Sequence, residues 1–563
     1  MKKKYILLSL IFALALVLRF YRLGEAPISL HRDEAFLGYN AYSILKTGKD
    51  ISGNFLPLHL QSFLYSPAGY SYFSIPFIYL FDLSSFSVRF ASAFFGSLTI
   101  LLTYFLTKEI FFQNRLSQIK KHINTDRLAL LASLLLAISP WHINLSRTAT
   151  ENTIVVFFIA LGILLFLYWI KNNKLILLIS SFVFFGSTFL IYQAPRAFLP
   201  LLLPLLILIF IKPSWNKKFI MLLSLFIFTI IIPLFLVLNS ENLSLRLKSV
   251  SFFSSLEKKE VIYEYAARDN LEQVPILITR SIHNKPTEYS SQFLRNYFNH
   301  FSYEFLFTDS GFPGRYRIPS AGLVYLMELP FLILGIWYLM NYKKKEGLLL
   351  LGWIALVPIG SSLTFDDIPN LQRTLIVFPA FSIVGACGIL YLFNIFPKKK
   401  PLYILTITFI LTFIGYGFLS YLHQYYVHAP AYRPWFRQDG YEELVTRVNK
   451  YLPNYEKAIV TNRESAPTIF FLFFSKYDPS SFQEETKNTN MKDFDRIGFG
   501  KYIFSQEECP LKEAGSDTKK LINADKNTLY VNSSLCPPLS TGITDIIKRS
   551  DDSKVFQILS LRE

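Results

Sequence analysis

The sequence predicts an α-helical polytopic membrane protein of about eleven transmembrane helices, followed by a small extracytoplasmic α/β domain. Three observations predict it. The 563 residues are 52% hydrophobic and 17% charged, with 55 Phe and 33 Tyr, a composition of integral membrane proteins rather than soluble ones. Apolar runs recur from residue 5 to residue 421, and the turns between them alternate between Lys-rich and Lys-poor. From about residue 422 the chain turns polar and holds no further run. The net charge of +17 raises the question of nucleic acid. The cations cluster between apolar runs, however, so they report membrane topology and anionic lipid, and no nucleic-acid partner is expected.

The first run, residues 5–20, follows Lys2, Lys3 and Lys4. Its core has signal-peptide length, but Arg19, Tyr21 and Arg22 stand where a small-residue cleavage site would be, so it is read as a retained span. Cations gather on the cytoplasmic side, which places the N-terminus inside and the next residues outside. The external loop 22–85 then carries interfacial elements. Its segment 66–83 is aromatic and interrupted by Pro67, Gly69 and Pro76. The run 86–112 is followed by Arg115, Lys120, Lys121 and Arg127, so it descends inward, and parity makes 66–83 a membrane-dipping segment that does not cross.

The runs 128–141, 152–170, 175–191, 198–211 and 219–238 alternate without conflict, and a long external loop, 239–317, follows. The runs 322–340, 348–363, 371–395 and 402–421 complete a membrane domain over residues 1–421. Its Lys-rich turns, at Lys171, Lys174, Lys212, Lys217, Lys218, Lys343 to Lys345 and Lys398 to Lys400, all fall inside. Residues 422–563 form the external domain. There the pattern predicts a helix over 441–451, strands over 457–461, 501–504 and 528–532, and a helix over 468–475. Cys387 lies in an apolar run. Cys509 and Cys536 lie in the tail, where they would close a loop of about 28 residues on an oxidising side.

The external turns carry the unusual polar residues. Asp33 and Glu34 follow the first span directly. Arg147 and Glu151 flank a turn before another span. Tyr192 and Arg196 share the next turn, and Asp366, Asp367, Gln372 and Arg373 a later one. Ionisable groups beside spans are costly unless paired or solvated, and they often mark a function. Arginine suits phosphate because its planar fork donates paired hydrogen bonds. These residue types fit transfer of a sugar from a lipid phosphate: a carboxylate takes the proton of an acceptor hydroxyl, and arginines stabilise the departing phosphate. Asp33 is the candidate base, and Glu34 a partner that orients or tunes it. Glu151 is either catalytic or a helix-start acid favoured by the helix dipole. Arg147, Arg196 and Arg373 are phosphate contacts or snorkelling interfacial residues. No nucleotide-binding glycine loop, HExxH or CxxC pattern occurs. His31, His59 and His142 lack ligand spacing, so no metal site and no certain cofactor are assigned; a divalent metal is unsupported.

On Asp33 and Glu34 after span one, on Arg89 opening the next long span after an aromatic, Pro-bearing segment, on Arg147 to Glu151 before a span, and on the external tail, the chain resembles the multi-span GT-C glycosyltransferases. The resemblance is to their protein mannosyltransferase and aminoarabinose transferase branch, glycosyltransferase family 39-like. It covers about the first two hundred residues by motif and the rest by architecture. It implies an inverting enzyme that uses a polyprenyl- or dolichyl-phosphate sugar as donor, with Asp33 as base. It also points to Glu151 as catalytic and to Arg147 and Arg196 as donor-phosphate contacts, while Glu34 as a catalytic partner and Arg373 and Tyr192 as donor-phosphate contacts follow from their placement in the external turns. Glu151 stands where the family usually carries Asp, and Arg196 where relatives often carry Lys. The acceptor is a protein, lipid or glycan. A lipid-linked glycan transporter or flippase is the alternative from another class, and a glycan polymerase or ligase a third reading. Transporters place ionisable groups near the midplane and often repeat their halves, and neither pattern occurs here.

Overall fold

The structure is a computed structural model. It describes residues 2–61, 65–112, 123–211, 215, 217–240, 251, 253, 256–395, 400–513, 521–522, 524–537, 539 and 543–562. The cationic turn 113–122, Lys212, residues 241–250 of the long external loop, Lys398 and Lys399 lie outside the described residues. The chain divides into two compact units. One comprises Met1–Leu18, Phe95–Leu145 and Asn152–Tyr421, and the other Arg19–Phe94, Ser146–Glu151 and Leu422–Glu563.

The first unit is helical. By length and composition, four helices among the described residues can cross a bilayer: Ser85–Ile110, Glu151–Asn172, Lys217–Asn239 and Pro401–Ala431. Thr125–Ile138 and Pro140–Ser146, bent by 58°, make a fifth if taken as one span. Shorter apolar helices cover Leu175–Leu190, Pro195–Phe210, Leu326–Tyr342 and Ala380–Asn394. The expected runs therefore fall on helices, while fewer helices than the expected eleven or so reach span length. Proline explains two of the differences. Pro140 lacks the amide that would continue the helix before it, so the run 128–141 bends there. The run 371–395 becomes a long helix only at Ala380, just after Pro379; before it lies a 3₁₀ turn, Leu375–Val377. Two glycines bring the helices Leu329–Tyr342 and Ala380–Ile395 backbone to backbone. A Cβ on Gly335 would lie 2.0 Å from the Val384 carbonyl oxygen, and one on Gly388 1.8 Å from that of Phe331.

In the second unit, the tail builds a five-stranded mixed sheet in the order Tyr502–Ser505, Lys457–Thr461, Thr528–Ser533, Lys554–Leu559, Ile543–Lys548. The first two pairings are parallel and the last two antiparallel. The helix Tyr441–Tyr451 and the strand Lys457–Thr461 take the expected bounds. The strands Ile543–Lys548 and Lys554–Leu559 and the helix Pro479–Glu485 were not expected. The segment 66–83 holds the helix Gly69–Phe81, whose 13 residues span about 20 Å, less than a hydrocarbon core of about 30 Å.

Cys509 and Cys536 form a disulfide with Cα atoms 5.8 Å apart, and Cys387 is a buried free thiol. A bridge of that loop length stabilises by on the order of 3 kcal/mol in the chain-entropy account. Thiol labelling of the unreduced, denatured protein should therefore modify Cys387 alone. Reaction at all three cysteines would exclude the bridge.

Candidate active site

The acidic pair opens the helix Arg32–Thr47. His31 is its N-cap: the Asp33 amide donates to His31 Nδ1 at 3.1 Å, and Glu34 Oε2 accepts from the His31 amide at 3.2 Å, a reciprocal capping box. Because His31 Nδ1 accepts that amide, it has no proton to donate to the Asp33 carboxylate 3.6 Å away. Gly38 lets this helix press inward, since a Cβ there would lie 2.4 Å from Val88 Cγ2 and 3.0 Å from Phe473 Cε2. Tyr39 donates to the Tyr477 carbonyl at 2.7 Å, and Ser71 donates to that of Leu37 at 2.8 Å. The helix is thus held on several sides, and its first turn is fixed with it.

The two neighbouring acids take opposite environments. Asp33 has 46% of its side chain exposed, while Glu34 has 3%. Arg89 Nε donates to Glu34 Oε1 at 3.1 Å, and Arg437 Nη2 donates to Oε2 at 2.7 Å. Burial alone would raise the Glu34 pKa. Arg89, Arg437 and the Ala149 amide outweigh it and hold the carboxyl at about 2. That amide donates to Glu34 Oε1 at 2.8 Å and so brings the 147–151 turn to the acidic pair. The next residue is held as well, since the Thr150 amide donates to Ser92 Oγ at 3.1 Å and Ser92 Oγ donates to the Thr150 carbonyl at 3.0 Å. Glu151 follows as the first residue of its helix, half-buried.

Arg147 is fully buried and turned into the protein. It donates to the carbonyls of Tyr21 at 2.6 Å and Ala26 at 2.9 Å and to the Tyr425 hydroxyl at 3.2 Å, with the Tyr425 and Tyr426 rings each 5.4 Å away. Arg89 likewise donates to the carbonyls of Leu23, Pro27 and Ser29. The sequence singled out Arg89 as a landmark. It missed Arg437, whose only local signal is a Pro-Trp-Phe-Arg run after the last span, indistinguishable there from an interfacial anchor.

The other phosphate candidates lie in the first unit. Arg373 donates from Nη2 to both Asp366 carboxylate oxygens at 3.1 Å and from Nη1 to Thr364 Oγ1 at 2.7 Å. Tyr192 is close enough to act on the charge of Arg373. Asp367 beside them has its pKa raised by burial and by Asp366, against the pull of Arg315 and Arg373. Arg315 Nη2 lies 3.5 Å from Gln372 Oε1. Underneath, His300 is buried and neutral, its pKa pushed down to about 4 by burial and by the Arg373 cation. Its Nε2 accepts the Asn370 amide at 3.2 Å and so shapes the Arg373 loop. Arg196 is buried near the start of the helix Pro195–Phe210 and donates to the Phe189 carbonyl at 2.9 Å. Within this unit Tyr192, Arg315 and Arg373 are therefore brought together. Among the described residues, no group of three or more His, Cys, Asp or Glu is placed to hold a metal ion. His31 serves as a cap and His142 packs on Phe378 with ring centroids 5.9 Å apart.

Residues 66–236 match the model of the dolichyl-phosphate-mannose-protein mannosyltransferase family. No curated protein matches the chain. Among solved structures, ArnT from Cupriavidus metallidurans in the apo state is similar with a TM-score of 0.54 at 13% identity, covering 98% of this chain and 97% of that one. The same protein bound to undecaprenyl phosphate gives 0.54 at 12% identity over the same shares. At these identities the likeness is one of fold. The comparisons thus give a family match within residues 66–236 and an ArnT-like fold over nearly the whole chain.

Proposed function

We propose that this protein is a membrane glycosyltransferase of the GT-C type that moves a sugar, mannose or a similar hexose or pentose, from a polyprenyl or dolichyl phosphate to an acceptor hydroxyl at the external membrane face. The observation that carries the reading is the division of labour in the acidic pair. Glu34 is buried and ion-paired with Arg89 and Arg437, while Asp33, on the same helical turn, stays half-exposed where an acceptor can reach it. A lipid-phosphate donor is supported by the undecaprenyl phosphate bound to ArnT and by the donor in the name of the matching family. External placement is supported by the Lys-rich turns and by the tail disulfide.

The chemistry is a single displacement. The acceptor oxygen bonds to the anomeric carbon as the carbon–oxygen bond to the lipid phosphate breaks, which inverts the centre. Asp33 takes the hydroxyl proton, and the leaving phosphate carries away the electron pair. Arg373, Arg196 and Tyr192 are proposed as donor-phosphate contacts, because cations and hydroxyls lower the energy of the charge that develops there. Arg147 is assigned to holding the loop around Tyr21 and Ala26, since its donors already serve those carbonyls. Glu151 is kept as a second carboxylate of the site.

Purified protein given a labelled polyprenyl-phosphate sugar should transfer or hydrolyse the sugar and release polyprenyl phosphate. Movement of intact donor across a vesicle membrane with no bond broken would sink this reading and favour a transporter.

A further inference from the structure

Three consecutive residues of the tail, Arg437, Gln438 and Asp439, each bond to the short segment that ends in Asp33 and Glu34. Arg437 Nε donates to the Ile28 carbonyl at 2.7 Å, and its Nη2 donates to the Ser29 carbonyl at 3.2 Å and to Glu34. Gln438 Oε1 accepts the Arg32 amide at 2.8 Å. Asp439 Oδ1 accepts the Ser29 hydroxyl, while its Oδ2 accepts the Ser550 amide at 2.6 Å and hydroxyl at 2.7 Å. Five polar groups along residues 28–34 are thus bonded by three adjacent side chains more than four hundred positions away.

The backbone on both sides is bent to make this possible. Gln438 has φ +58° and Arg433 φ +51°, and on the receiving side Ser29 has φ +50°. Such conformations are unfavourable for residues with a Cβ, so tertiary bonds must hold them. The Gln438 amide is fixed in turn, because its Nε2 donates to Ser465 Oγ. The carboxylate of Asp439 ties the same strap to the turn at Ser550 between two sheet strands.

We infer that Arg437–Gln438–Asp439 is a positioning strap: the tail domain sets the conformation of residues 28–34 and thereby aims Asp33. This rests on the reading of Asp33 as base. Arg32, whose amide the strap captures, is the residue immediately before Asp33, so a shift there moves the carboxylate directly. A misplacement of about 1 Å can lower turnover by about a hundredfold. Gln438 touches no reacting atom in this account and acts only through Arg32.

The test compares Gln438→Leu, which removes the acceptor for the Arg32 amide, with Gln438→Glu, which keeps one. In purified full-length protein, Gln438→Leu should lower kcat by about tenfold to a hundredfold with donor KM within about twofold of wild type, and Gln438→Glu should restore most of kcat. Arg437→Met should lower kcat at least as far, and Arg437→Lys should recover part of it. Arg447→Gln, which breaks pairs with Glu443 and Asp545 elsewhere in the same domain, should leave kcat unchanged. Wild-type kcat in Gln438→Leu, an equal loss in both Gln438 variants, or a change confined to KM would each overturn the strap. If Arg437→Met does not fold, the Gln438 pair alone decides. Asp33→Asn separates the two readings: an active Asp33→Asn refutes the base, whereas an inactive one beside a fully active Gln438→Leu refutes the strap only.

Discussion

Asp33→Asn should lower sugar transfer by about 10²–10⁴-fold, the usual contribution of a general base, while donor binding and folding stay near wild type. The amide keeps the shape of the carboxylate and its place in the first turn but cannot take a proton. The surroundings explain why stability should barely change. The side chain is 46% exposed, and it pairs at 3.9 Å with Arg32, which is itself 37% exposed. Exposed pairs of this kind contribute about 0–1 kcal/mol. The helix start does not depend on this side chain either, because His31 and Glu34 form the capping box. The measurement is single-turnover transfer at saturating donor, beside a donor-binding isotherm and a melting curve. Transfer at the wild-type rate would remove Asp33 from the role and make Glu151 the next candidate.

Glu34→Gln should do the opposite and destabilise the protein before any question of chemistry arises. The substitution leaves the guanidinium groups of Arg89 and Arg437 buried without their carboxylate, and it turns an amide NH₂ toward one of them. Breaking a buried pair by removing one partner costs about 3–5 kcal/mol, a large share of the ordinary stability of about 5–15 kcal/mol. The expected result is a lowered melting temperature, with activity falling in step as the Ala149 amide and the His31 amide lose a charged acceptor. The effect also carries a pH signature. Glu34 is held at about 2 in the folded protein, below its ordinary value of 4.5. A depressed carboxylate contributes stability in full above about pH 4.5 and loses it as pH falls toward about 2. The gap in stability between wild type and Glu34→Gln should therefore be constant near neutrality and narrow across that acid window. A constant gap down to about pH 2 would mean that the Glu34 charge is not what holds this loop.

These two neighbouring acids separate what local sequence encodes from what packing adds. The adjacent acids were visible at once, because two carboxylates beside a hydrophobic span are expensive and need a reason. Asp33 reads as the candidate base and Glu34 as its partner; the difference in their burial is not legible in the sequence. Their environments are split by burial, and Glu34 is paired with Arg89, 55 positions on, and with Arg437, 403 positions on. Nothing in local sequence encodes a pairing at that separation. The same holds for Arg147. Its placement before a span read as a phosphate contact, and only the carbonyls of Tyr21 and Ala26 and the two flanking tyrosine rings turned it inward. Tyr192 and Arg373 were both named from their turns, but their nearness to each other, with Arg315 and the neutral His300 beside Arg373, is a product of packing.

What the sequence determined by itself was whatever depends on local periodicity and composition. Apolar runs became helices because a backbone surrounded by lipid must satisfy its own hydrogen bonds. The helix Tyr441–Tyr451 and the strand Lys457–Thr461 had clear patterns and took the expected bounds. Where proline removes an amide, as at Pro140, a run that looked continuous bends. Tertiary structure decided everything that depends on a partner far along the chain: the burial of Glu34, the inward turn of Arg147 and the hold of the tail on residues 28–34. The physical reason is that hydropathy is a sum over neighbours in sequence, whereas the strength of a charge and its protonation are set by neighbours in space.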